Sequence, residues 1–91
     1  MMAESGAKVD QVKIQAVIDY LKAEFPGCEI NHIPKGDQIA DLFQIIRSSE
    51  AVHRLLVRRK FFDDHRWPNA LSDVRAAERM RKAGAEIVDL A

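Results

Sequence analysis

The side chains in this sequence that could do chemistry are few. They are three histidines, His32, His53 and His65, one cysteine, Cys28, and the adjacent acids Asp63 and Asp64. A zinc ion would need three or four such ligands to converge. No two of these residues have a familiar ligand spacing such as Cys-x-x-Cys or His-x-x-x-His, so no metal site is expected. Asp63-Asp64-His65 falls where a strand should end, and acids there more often turn or cap the chain. A hydrolase would need a nucleophile, a base and a group that orients the base. Ser48 and Ser49 have no nucleophile signature around them, and no glycine-rich phosphate loop occurs. Cys28 next to His32 is the one thiol pairing within reach, and a half-buried structural cysteine is the simpler reading. The expectation is a protein without catalytic residues, metal or cofactor.

The basic residues form a second constellation. Arg54, Arg58, Arg59 and Lys60 precede Phe61 and Phe62. Cations beside aromatic rings can track a phosphate backbone and stack a base. Strand alternation, however, puts Arg54 and Arg58 on one face and Arg59 on the other. The chain carries 14 basic and 14 acidic residues, without the strong positive bias usual in nucleic-acid binders. The excess is local: residues 1–50 have 5 basic and 8 acidic side chains, and residues 51–91 have 9 and 6. Nucleic-acid binding through Arg54, Arg58, Arg59 and Lys60 is therefore the alternative reading, not the first.

The elements that must position these residues follow from pattern. At 91 residues the chain makes one domain, with 47% hydrophobic and 31% charged residues, a globular balance. No apolar run approaches the ~20 residues of a spanning helix. Residues 1–8 read as a flexible lead-in without signal-peptide character, and residues 9–91 as a single α+β domain. A lone cysteine and no leader point to the cytoplasm.

From Val9 to Phe25 the spacing of Ile14, Ile18, Leu21 and Phe25, widened by Val17, predicts a helix that Pro26-Gly27 ends. Cys28 to Ile33 reads as a strand of the kind that suits a sheet edge, and Pro34 to Asp37 as a turn. Ile39 to Arg47 and Val52 to Phe61 read as two strands joined by a Ser48-Ser49-Glu50 hairpin. His65 to Trp67 connects to a second helix over Pro68 to Ala83, with Leu71, Val74, Ala77 and either Met80 or Arg81 inward and Gly84 as its stop. Residues 85–91 fit either a helix extension or a short final strand. The fold class is thus α+β, α-β-β-β-α: a three-stranded antiparallel sheet with two helices packed on one face and a possible short C-terminal strand.

If Phe43, Ile45, Leu55 and Val57 face the helices, the opposite face carries Leu42, Gln44, Ile46, Arg54, Leu56 and Arg58. Aliphatics on an outward face mark a surface for a second copy or another protein. The competing reading is that Leu42 and Ile46 are covered by the N-terminal segment or by a final strand from Glu86 to Leu90. The first functional expectation is a non-enzymatic protein-interaction or homodimeric module using that face.

Phe25-Pro26-Gly27, then Val52-His53-Arg54-Leu55-Leu56-Val57 and Phe61-Phe62-Asp63-Asp64-His65, resembles a pattern in a group of small uncharacterised bacterial proteins of the kind carried on mobile gene cassettes. The resemblance spans residues 10–84. It implies a helix, a meander and a helix, and no activity. The strand order is also similar to that of double-stranded-RNA-binding domains. Those place lysines at the start of the second helix, where this chain has Pro68-Asn69-Ala70-Leu71-Ser72-Asp73 and no cation.

Overall fold

The structure is a computed structural model that describes residues 11–63 and 69–90. The expected lead-in, the Asp64 and His65 positions, the His65–Trp67 connection and the Pro68 helix start lie outside the described residues. The order is helix α1 (Gln11–Glu24), strand β1 (Glu29–Lys35), a 3-10 turn (Gly36–Gln38), β2 (Ala40–Arg47) and β3 (Glu50–Arg58). Short helices α2 (Arg59–Phe62) and α3 (Ala70–Asp73), helix α4 (Ala76–Ala83) and β4 (Ile87–Leu90) follow. The class is α+β, as the pattern implies.

The sheet has four strands in the order β1-β2-β3-β4. β1 pairs antiparallel with β2, and β2 with β3, while β4 lies parallel to β3. The last residues are therefore a strand, and the sheet is mixed. A parallel neighbour needs a crossover, and the helical segments after β3 supply it.

One face of the sheet carries the core. Ile14, Val17, Leu21 and Phe25 from α1 and its end pack with Phe43, Ile45, Leu55, Val57, Val88 and Leu90 from the strands. Ala70, Leu71, Ala76, Ala77 and Met80 close the same cluster. Of the two inward candidates at the end of the second helix, Met80 is the buried one, and Arg81 is exposed.

Two expectations are corrected. The third strand does not reach Phe61: the chain leaves the sheet after Arg58 and makes a helical turn. A strand would send Phe61 and Phe62 to opposite faces. The turn buries both in the core instead. The second helix is not continuous over its length either. Arg75 takes the left-handed conformation, with φ 55°, and separates α3 from α4. That redirection lets Ala70-Leu71 and Ala76-Ala77 all face the core. The N-cap of α4 makes no side-chain hydrogen bond. Instead the Ala77 N–H donates to the Tyr20 hydroxyl across the core, at 3.2 Å.

Smaller details match the residues. One boundary is corrected: Pro34 and Lys35, expected in the turn, belong to β1, and the turn is Gly36–Gln38; proline is tolerable there because an edge strand needs ladder partners on one side only. Ser48 and Ser49 both have positive φ, 52° and 68°, as the tight turn of a two-residue hairpin requires. The register shifts between Ile45 and Ile46 of β2, leaving Val52 as the extra residue in β3.

Candidate functional site

Directly paired residues on adjacent strands share a face. The register therefore builds the outer surface row by row. One row is Asn31, Gln44, Arg54 and Ile87; the next is Ile33, Leu42, Leu56 and Asp89; the third is Lys35, Ala40 and Arg58. Glu29 and Ile46 pair at the far end. The six residues expected from sequence, Leu42, Gln44, Ile46, Arg54, Leu56 and Arg58, are thus brought onto one face.

At its centre Ala40, Leu42 and Leu56 form a second apolar cluster, with Ile33 packed against it. Among the described residues this cluster contains strand residues alone. β4 does not lie over it. It extends the sheet beside β3, which corrects the reading of residues 86–90 as a cover for Leu42 and Ile46. The other expected cover, the N-terminal segment, lies outside the described residues. Leu42 is 8% and Leu56 6% exposed. Around them the Asn31 amide donates to Gln44 at 3.2 Å, and Arg54 donates to the Ala85 carbonyl at 2.6 Å. Arg58 makes a two-pronged bond to Asp89, at 2.9 and 2.8 Å.

The Arg58–Asp89 pair has an electrostatic signature. The hydrogen bond from Arg58 holds the Asp89 carboxyl below its ordinary value, against a slight opposing push from burial and with help from the guanidinium charge. The same hydrogen bond, with the carboxylate charge, raises Arg58. The fork geometry suits arginine and not lysine.

The basic run is divided. Arg54 and Arg58 lie on the outer face, each engaged as above, while Arg59 and Lys60 begin α2, off the sheet. The four are not brought onto one surface.

The other chemistry-bearing residues are scattered. His53 Nδ1 bonds the Gly84 carbonyl at 3.1 Å, and its ring leans on Phe25 at 5.0 Å. Asp63 follows the last turn of α2. Cys28 is half-buried, packed against the core. Among the described residues no three histidine, cysteine, aspartate or glutamate side chains lie where they could hold a metal ion. No helix among them is long and apolar enough to cross a membrane.

One pair escaped the sequence reading. His32 Nε2 lies 2.7 Å from Asp41 Oδ1 on the helix-facing side, and Asp41 is the one buried polar residue among those described. The His32 ring stacks on Phe43 at 5.0 Å. A register with Phe43 opposite His32 and Asp41 opposite Pro34 would have revealed the pair, but sequence alone does not fix that register. Among the described residues nothing completes the pair into a catalytic set.

No protein-family model matches this chain, and no curated protein or solved structure matches it either.

Proposed function

We propose that this chain is a non-enzymatic interaction module that pairs with a second copy of itself through the outer face of its sheet. The observation that carries this reading is the cluster of Ala40, Leu42 and Leu56 on the face where no described helix packs. The face is self-complementary in kind, an aliphatic centre within a rim of amides and paired charges, as an isologous contact needs. Membership of the group of small bacterial proteins that the Phe-Pro-Gly and β3 motifs resemble is part of the same proposal.

Light scattering during gel filtration tests it. The chain is expected to run as a dimer, and Leu56→Arg as a folded monomer. Leu56 is only 6% exposed, so a second variant, Gln44→Arg, places a like charge opposite Arg54 without emptying the cluster. A wild-type monomer, or a dimer mass unchanged in both folded variants, overturns the reading.

A further inference from the structure

The outer face carries its charges unevenly. The central row runs from Ile33 on β1 through Leu42 and Leu56 to Asp89 on β4. On one side of it stand Asn31, Gln44, Arg54 and Ile87, with Glu29 and Ile46 beyond them. On the other stand Lys35, Ala40 and Arg58. The two arginines of β3 therefore flank the apolar centre, one row above it and one row below. Arg54 donates to the Ala85 carbonyl, a neutral group that does not cancel its charge, whereas Arg58 shares its charge with Asp89. Glu29 and Lys35 mark opposite ends of β1.

Two copies that meet through this face as a closed pair have their two-fold axis in the plane between the sheets. Separate sheets packed face to face keep their strands within about 30° of each other, because the orthogonal mode relies on strands that pass from one sheet to the other. The axis therefore runs either across the strands or along them, through the centre that Leu42 and Leu56 fix. With the axis across the strands, the central row meets itself and the flanking rows exchange. Asp89 then lies over the partner's Asp89, and Arg54 over the partner's Arg58 at two symmetric places. Like charges opposed in this way are costly.

With the axis along the strands, between β2 and β3, each row meets the same row of the partner in reverse. Leu42 lies over the partner's Leu56, and Gln44 offers its amide oxygen to the partner's Arg54. β1 of one copy crosses β4 of the other, which brings Lys35 within one row of the partner's Asp89. The one mismatch is Ile33 over the partner's Asp89. It falls at the rim, where the Asp89 side chain is 47% exposed and stays in water.

We propose that the two copies pair with the two-fold axis along the strands, each Leu42 against the partner's Leu56 and each Lys35 beside the partner's Asp89. This arrangement rests on the outer-face pairing itself and adds which residue meets which. It puts both Ser48-Ser49 hairpins at one end of the pair and both Gly36–Gln38 turns at the other.

Distances between spin labels test the arrangement. Ser48→Cys in a Cys28→Ser background carries one nitroxide at each hairpin tip. Ser48 lies six residues beyond Leu42. At about 3.3 Å per residue, tips at opposite ends of the pair would stand about 40 Å apart. Tips at the same end are separated by the spacing of stacked sheets, about 10 Å, and by the reach of the labels, and should give about 20 Å. Asp37→Cys in the same background, at the other end, should also give a short distance. Lys35→Glu should weaken the pair severalfold at low salt, with the effect fading as salt rises. A long distance from either site, or a dissociation constant indifferent to Lys35→Glu at low salt, overturns the proposal. A monomeric mass overturns the outer-face pairing as well, whereas a dimer with its tips about 40 Å apart overturns the orientation alone.

Discussion

Replacing His32 by phenylalanine should destabilise the domain well beyond what a half-exposed edge position suggests. The ring and its stack on Phe43 survive the change, so the loss isolates the bond to Asp41. Asp41 is 7% exposed, and His32 is the hydrogen-bond partner its side chain shows. A hydrogen bond to a charged group contributes about 1.5–3 kcal/mol, and a buried carboxylate left without it bears its desolvation cost. The two side chains keep 21% and 10% of their exposure, so some water remains to compensate. A loss of about 2 kcal/mol follows. For a domain of this size that lowers the melting temperature by about 8–16 °C. Asp41→Leu leaves only a half-exposed imidazole without its partner and should cost less. The double variant should therefore cost less than the sum, with a coupling of at least about 1 kcal/mol. Urea denaturation of the four proteins at neutral pH, followed by circular dichroism, measures each value. Hydrogen exchange should also accelerate in β1 more than in β3, because the pair ties an edge strand to its neighbour. A coupling within about 0.3 kcal/mol of zero would refute the reasoning, since distant independent sites give that much.

Two further perturbations test the outer face and the hairpin. The Asp89 carboxyl is held below its ordinary value of 3.8, so the unfolded chain binds its proton first as pH falls. Its contribution is full above that value and disappears as pH drops through the lowered one. Asp89→Asn should thus be less stable than wild type at neutral pH, with the gap closing in acid, and urea midpoints at neutral and acid pH would show a constant gap if the pair contributes nothing. Ser48→Asn with Ser49→Gly should stabilise the protein by about 1 kcal/mol, since L-residues other than glycine and asparagine resist positive φ. A higher urea midpoint at unchanged slope is the expected result, and an unchanged midpoint the contrary one.

The first helix and the strand alternation were legible because their signals are local. Ile14, Val17 and Leu21 all reach the core as their spacing requires. The same alternation that places Phe43, Ile45, Leu55 and Val57 inward puts the six outer candidates on one face. What failed to show was long-range. Phe61-Phe62 reads as the continuation of an apolar strand, and only the burial of both rings, at 4% and 1% exposure, shows why the chain turns there. The break at Arg75 carries no glycine or proline, and its compensation comes from Tyr20, which lies 57 residues away from Ala77. The His32–Asp41 pair depends on a register that two strands settle only when they meet. β4 is too short for its period to decide between helix and strand.

The outer face and the last strand are held by the same few bonds. β4 contributes just four residues to the sheet, and a strand that short has little hold of its own. Besides Val88 and Leu90 in the core, it is fastened from the outer side by Arg58, whose fork grips Asp89. Arg54 fastens the approach to the strand through the Ala85 carbonyl, and His53 does the same from the inner side through Gly84. The residues that close the rim around Leu42 and Leu56 are therefore also the residues that hold the β4 edge in place. A second copy resting on the outer face would press on Arg54 and Arg58 and, through them, on the strand they fasten.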